Sequence, residues 1–358
     1  MTRPARACID LHALRHNFQH VRQAAPGSRI MAIIKANAYG HGLLRVAQSL
    51  PGADAFGVVS PEEGITLRES GFDRRIALLE GLFTPDDIAL VAGYHLDIVV
   101  HHASQLDMLE QAALNRPVDV WLKLDTGMNR LGFDPDAAAN IVARLQSLEQ
   151  VATVRFMTHF ACADEPDNDA TAVQSDRFNR ALDTLEGERT LANSAAILAW
   201  PDTHADWVRP GIMLYGASPL AGQRAAALDL QPVMTLKSRL ISINACRQGD
   251  AVGYGADWRC PEDMPVGVAA IGYGDGYPRH AGNGTPVLVN GRRAGLIGRV
   301  SMDMICLDLR GHDRPAVGDE VVLWGDNLPI EEIAAAAGTI SYELLCGISR
   351  RVRLEYTG

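Results

Sequence analysis

Eight times over its first two-thirds this chain returns to a short β-type run, and helical patterns fill most of the gaps. That alternation restricts the fold more than any other feature. The runs fall at 30–34, 55–59, 75–79, 96–100, 118–124, 153–158, 190–192 and 208–214. Between them, Leu11, Leu14, Phe18 and Val21 recur at helical spacing, as do Leu106, Leu109 and Ala113. Ser60-Pro61-Glu62-Glu63 reads as a capping box with proline at the first helical position. Thr84-Pro85 and Asp134-Pro135 open helices in the same way. Such a series predicts an α/β fold whose strands close into a (β/α)8 TIM-type barrel rather than an open doubly wound sheet.

After about Leu228 the helices between strands disappear. Runs at 234–243, 266–271, 286–289, 292–297 and 321–324 follow one another directly. Asn290-Gly291 marks a hairpin, because both central positions of that turn need positive φ. One helix at 330–337 begins after Pro329, and 351–356 closes the sheet. With 358 residues the chain is too long for one small core. It divides into a barrel, 10–228, and a mostly antiparallel β domain, 229–358, with residues 1–9 free to pair with the second.

The formal charge of −10 would be repelled by phosphate backbones, so nucleic acid is excluded as a partner. No apolar run reaches the length of a membrane span, and residues 1–10 carry two arginines, Arg3 and Arg6, in place of a signal peptide's apolar stretch. A cytoplasmic protein is expected. The six cysteines have no C-x-x-C spacing and read as buried thiols in a reducing compartment. His101-His102 is no metal site, since adjacent residues of a strand point to opposite faces. No metal is expected elsewhere.

In a barrel of this kind the C-terminal strand ends face the active site. Lys35 stands at such an end, in Ile33-Ile34-Lys35-Ala36-Asn37-Ala38-Tyr39-Gly40-His41-Gly42. A poorly solvated lysine there has a lowered pKa and a nucleophilic amine, whereas one that snorkels to the rim has neither; position alone leaves these readings even. Trp121-Leu122-Lys123-Leu124-Asp125 runs on to Arg130, placing two cations near one carboxylate, a pattern equally at home in a solvated surface loop. His159 ends a further strand, where a lone histidine is more often a hydrogen-bonding group than a catalyst. Ser194, with the Gly211 and Ile212 N–H groups, is placed to hold a phosphate at the last two strand ends. In the β domain, Val252-Gly253-Tyr254-Gly255 and Gly272-Tyr273-Gly274-Asp275-Gly276-Tyr277 set tyrosines among glycines. The second superficially resembles a dinucleotide loop but lacks the βαβ unit that such a loop requires. Gly298-Arg299-Val300-Ser301-Met302-Asp303-Met304 ends a strand with a polar cluster.

Together these stretches resemble the bacterial alanine racemases, a fold-type III pyridoxal-phosphate family. The likeness runs from Arg6 to Tyr342 in the family's order and spacing, and Ile34-Lys35-Ala36-Asn37-Ala38-Tyr39-Gly40-His41-Gly42 is its most specific part. The tail Ser349-Arg350-Arg351-Val352-Arg353 departs by lacking the family's proline after the valine. The resemblance implies that Lys35 carries pyridoxal 5'-phosphate, whose phosphate is held by Tyr39, Ser194, Tyr342 and the Gly211 and Ile212 N–H groups. It implies that Arg209 faces the pyridine nitrogen and is hydrogen-bonded by His159. Arg130 would reach the substrate carboxylate, oriented by Lys123, which is carbamylated in many relatives. Tyr254 would be the second catalytic base, and the Met302 N–H would bind substrate. Tyr273, Arg279, Arg299 and Asp303 would line the entrance. A head-to-tail homodimer with shared active sites is implied, acting on a small amino acid. A role in making D-alanine for peptidoglycan and a role in its catabolism both stay open.

Racemisation needs a base on each face of the α-carbon, and lysine and tyrosine both suit once their ordinary values near ~10.4 and ~10 are depressed. Two rivals differ at named positions. A fold-type III decarboxylase would set a carboxylate where Arg209 stands. A non-catalytic cofactor-binding regulator would need neither Tyr254 nor the β domain.

Overall fold

The structure, a computed structural model, describes residues 3–358. Eight parallel strands close a barrel: Arg29–Ile33, Ala55–Val58, Arg75–Leu78, Asp97–Val100, Val118–Lys123, Val151–Met157, Arg189–Asn193 and Trp207–Arg209. The ring shuts where Arg29 and Ile30 pair with Trp207 and Val208. Most strand residues are buried, as expected where helices cover a parallel sheet.

The opening helix, Leu11–Ala24, shows how local chemistry sets these elements. Asp10 caps it by accepting from the His12 and Ala13 N–H groups at 2.8 and 3.1 Å. Leu11, Leu14, Phe18 and Val21 form its buried face. In Pro61–Glu69, Ser60 accepts from the Glu63 N–H at 3.4 Å, but the return bond of a capping box is absent. The Glu63 carboxylate instead takes the Val59 N–H at 2.9 Å and the Asn37 N–H at 3.3 Å.

Several sequence expectations need correction. The expected strand at 208–214 stops at Arg209, and Ile212–Tyr215 is a 3-10 turn, because Pro210-Gly211 breaks the ladder. Thr84-Pro85 does not open a helix; Asp87–Gly93 begins later, and the Asp87 carboxylate binds the Phe83 and Thr84 N–H groups. Asp134-Pro135 opens a short 3-10 turn that leads into Ala138–Gln146. Of the six free cysteines only Cys260 is buried, and Cys346 is exposed.

In the second sheet Met234–Cys246 pairs with both Met264–Ala269 and Glu320–Trp324. Ile305–Asp308, Arg292–Ile297 and Pro286–Val289 complete a ring of six antiparallel strands. Arg6–Asp10 adds to the outside of Met234–Cys246, and Arg353–Thr357 pairs parallel with it. Ile305–Asp308 and the helix Ser341–Cys346 were not expected from sequence. Buried Asn17 ties the domains together, donating to the Leu214 and Gln231 carbonyls and accepting from the Gln231 N–H. Among the described residues no helix is long and apolar enough to cross a membrane.

Candidate active site

Lys35 follows the first barrel strand on an unusual turn. Ala36, Asn37, Ala38 and Tyr39 all have φ between 50° and 54°, and Gly40 has φ 80°. A left-handed turn costs roughly 1–2 kcal/mol per non-glycine residue, so it persists only where its surroundings hold it. Here the Ala38 N–H donates to the Ile34 carbonyl at 2.8 Å, and the Gly42 N–H to the Asn37 carbonyl at 2.9 Å. The Asn37 side chain accepts from Leu43, and Glu63 holds the Asn37 N–H. The turn sets Lys35 and Tyr39 on the wall of one cavity of about 410 Å³ at the barrel's C-terminal mouth.

That cavity gathers ten predicted site residues: Lys35, Tyr39, Lys123, Arg130, His159, Ser194, Arg209, Gly211, Ile212 and Tyr342. Burial lowers the Lys35 pKa, Glu80 opposes the fall, and the Arg130 charge adds to it. Lys123 drops to about 8 through burial and the charges of Arg209, Arg130 and Lys35. Arg130 is exposed at the rim and has no hydrogen-bond partner among the described residues.

Arg209 is buried and donates only to neutral acceptors: the Thr190 hydroxyl, the Thr158 and Leu191 carbonyls, and His159 Nδ1 at 3.2 Å. Burial brings its pKa down to about 9, which still leaves it charged at neutral pH. The His159 pKa lies well below its ordinary value, through burial and the neighbouring cations. Its neutral ring therefore accepts the Arg209 bond.

Ser194 Oγ accepts from the Gly211 N–H at 2.8 Å and the Met213 N–H at 3.4 Å, so its own hydrogen is left to point elsewhere. Gly211 is thus already engaged, unlike the free phosphate donor read from sequence, while the Ile212 N–H meets no acceptor among the described residues. A side chain at Gly211 would come within 2.7 Å of the Tyr39 hydroxyl, so glycine keeps this corner open. Four cationic side chains and one carboxylate, Glu80, line the cavity. That imbalance, with the Ser194, Tyr39 and Ile212 donors, fits a phosphorylated cofactor and a carboxylate substrate. Among the described residues no cluster of His, Cys, Asp or Glu could hold a metal ion. His101 binds the Glu80 carbonyl, and His102 caps the helix Ala103–Gln111.

The remaining predicted residues stay outside the cavity. Tyr254 sits on a tight hairpin between Ala251–Val252 and Trp258–Arg259 and is 69% exposed. Arg299 braces that hairpin through an ion pair with Asp257. Met302 is 52% exposed; Tyr273 and Arg279 are also exposed, and Asp303 pairs with Arg351.

Sequence reasoning assigned no role to Glu80, Cys346, Thr158 or Thr190. Glu80 follows the strand Arg75–Leu78, so the strand-end rule that found Lys35 would have found it too. Its carbonyl is pinned by His101 and Gln105, which fixes where the carboxylate hangs. Cys346 lies one helical turn after Tyr342 on the helix that sequence reading missed.

Residues 9–219 match a family model described as the alanine racemase N-terminal domain, and residues 233–356 match the C-terminal domain. The alanine racemase of Vibrio cholerae is 52% identical over 355 residues, covering 99% of this chain and 98% of that protein. That of Shewanella loihica is 53% identical over 348 residues, 97% of each. Among solved structures, the biosynthetic alanine racemase from Pseudomonas aeruginosa superposes with a TM-score of 0.97 at 46% identity, over 100% of both chains. The alanine racemase from Acinetobacter baumannii gives 0.92 at 39% identity, over 99% of this chain and 100% of that one.

Proposed function

The chain belongs to the alanine racemase family, and from that premise we propose that Lys35 and Tyr254 are the two bases of a site shared between two subunits. The activity is that of the family, the interconversion of L- and D-alanine with pyridoxal phosphate. One observation supports the residue roles above all: a single cavity brings Lys35 together with unpaired cations and unspent phosphate donors.

Pyridoxal phosphate, when bound, supplies the electron sink that lets a proton leave the α-carbon. Lys35 carries it and, once its amine is free, takes or returns that proton on one face. Burial lowers its pKa, the direction a base working near neutral pH needs. Ser194, Tyr39, Tyr342 and the Ile212 N–H hold the phosphate, with Gly211 steering Ser194. Arg209 presents a hydrogen-bond donor to the ring nitrogen while keeping its own proton. Because Arg209 would not give up that proton, it would leave a bound ring less electron-withdrawing and so would limit transamination. A decarboxylase of the same barrel class would need a carboxylate at that place. Arg130 binds the substrate carboxylate, oriented by Lys123, for which we also propose carbamylation.

The partner subunit's Tyr254 works on the opposite face, and the Met302 N–H beside it helps hold the substrate carboxylate. Tyr273, Arg279, Arg299 and Asp303 then line the way in. Exposed Tyr254 and Met302 make chemical sense only against a second surface, and a head-to-tail homodimer supplies one. We place the domain boundary at 228/229 and the enzyme in the cytoplasm.

Borohydride treatment of the holoenzyme tests the core of this reading. The reduced cofactor should map to Lys35, and optical rotation should decay from either alanine enantiomer. An adduct on Lys123 or Lys237 would overturn the assignment of Lys35.

A further inference from the structure

Asp275 lies in the β domain, completely buried, in a loop where a carboxylate has no obvious business. A charge buried this deeply needs both a counterion and hydrogen bonds. Asp275 has two counterions, from distant parts of the chain. Arg3 grips it with Nε at 3.2 Å from Oδ1 and Nη2 at 2.6 Å from Oδ2, and Arg351 Nε lies 3.3 Å from Oδ1. The Gly272 N–H donates to it at 3.0 Å. Both arginines then reach on to Asp303: Arg3 donates to its carbonyl at 2.7 Å, and Arg351 binds its carboxylate.

The clamp therefore fastens residues 272–277 to residues 301–304. Between them, the Tyr273 N–H donates to the Ser301 carbonyl at 3.0 Å and the Gly274 N–H to the Met302 carbonyl at 2.9 Å. The approach is so close that a side chain at Gly272 would collide with both carbonyls. A trans peptide points its N–H opposite its own carbonyl. With the Ser301 carbonyl tied to Tyr273, the Met302 N–H must face away from the 272–277 loop. It meets no acceptor among the described residues.

We propose that Asp275, clamped by Arg3 and Arg351, is a positioning residue for substrate binding: it fixes the 301–302 peptide so that the Met302 N–H stands free to receive the substrate carboxylate. This rests on the reading of Met302 given above. It assigns a task to Arg3 and Arg351, which lie outside every motif of the site.

The test uses the dimeric holoenzyme and propionate, a carboxylate without the amine, as a competitive probe. Asp275→Asn should raise KM for both alanine enantiomers and the Ki of propionate by about tenfold, the scale of one lost charge-assisted hydrogen bond. The kcat should stay within a few-fold, and the absorbance of the lysine-linked cofactor should not change. Arg3→Gln, at a part-exposed position, should shift the same constants less, and Arg3→Lys should recover much of the shift. Arg3→Gln carries the test alone if Asp275→Asn fails to fold. Unchanged KM and Ki beside a lowered melting temperature would reduce the clamp to a structural brace. Met302→Pro separates this from the underlying reading, because it removes the N–H itself. If Met302→Pro leaves propionate binding intact, Met302 does not bind the carboxylate and both ideas fall. If it weakens binding while the Asp275 and Arg3 variants do not, only the clamp is wrong.

Discussion

The barrel mouth and the β-domain loops carry comparable chemistry in opposite physical states. At the barrel mouth Arg209 makes four hydrogen bonds, Ser194 gathers two backbone N–H groups, and Lys35 rests on a turn secured from several sides. In the β domain Tyr254 is 69% exposed and Met302 52%, and neither touches the cavity. The backbone beneath them is nevertheless rigidly fastened, by Arg299 to Asp257 and by the Asp275 clamp. One region is complete in itself; the other is a shaped surface awaiting its complement. Cofactor binding should thus depend on the first, and turnover on both.

The sharpest way to break this contrast is at Lys35. Lys35→Ala should abolish the lysine-linked absorbance and racemisation together, whereas substitutions at the exposed Tyr254 or Met302 should leave the absorbance in place. Loss of that absorbance in Tyr254→Phe would mean that the barrel mouth is not self-sufficient.

Tyr254→Phe keeps the ring and deletes the hydroxyl. Racemisation should fall by roughly 10²–10⁴-fold in both directions, since each direction needs both bases. In deuterated water the variant should still exchange the α-proton of D-alanine through Lys35, while exchange into L-alanine nearly stops. Equal loss for both enantiomers would mean either that one base serves both faces or that Tyr254 acts only in binding, and would remove the two-base mechanism. Mixing this variant with Lys35→Ala under subunit exchange should restore some activity, because one hybrid site holds both bases. No recovery despite proven exchange would place each site within a single chain.

Ser194→Ala probes the phosphate corner alone. It removes a hydroxyl and frees the Gly211 N–H, so cofactor affinity should fall by about tenfold with little change in kcat at saturation. A larger fall in kcat than in affinity would move Ser194 from binding into chemistry.

Lys123 gives the smallest effect, on stability. Its folded-state pKa of about 8 lies below its ordinary 10.5, so between those values the unfolded chain binds more protons and rising pH favours the fold. In cofactor-free protein kept free of carbon dioxide, so that Lys123 carries no carbamate, Lys123→Met should be more stable than the parent below pH 8, and the gap should close as pH rises toward 10.5. A gap independent of pH would mean that Lys123 is not held as a strained ammonium.

Strand ends were legible because burial writes itself into sequence as apolar runs, and the residue after each run is necessarily at the mouth. Lys35 and His159 were found that way and Lys123 near the end of its run, whereas Arg209, inside the run expected at 208–214, was assigned only through the family resemblance. Short-range geometry was harder to read. The left-handed turn at 36–39 contains no glycine to announce it, and it depends on Glu63, which looked like a helix cap. The helix Ser341–Cys346 is too short to show a periodicity, and Ile212–Tyr215 is as apolar as a strand. Contacts between distant segments leave no local pattern at all. Arg3 and Asp275 meet across 272 positions, and neither residue's neighbours hint at the other.

The parallel pairing of Arg6–Asp10 with Arg353–Thr357 bears on how the molecule is made. Residues 6–10 leave the ribosome early, but one of their two neighbours is translated long afterwards. The Tyr356 hydroxyl on that later strand donates to the His41 carbonyl at 3.0 Å, a few residues beyond Lys35. A nascent chain can therefore roll up its barrel well before the turn beyond Lys35 receives its final support. The order of translation thus sets the order of assembly here: the barrel strands are all made before the strand Arg353–Thr357 that braces the 35–42 turn.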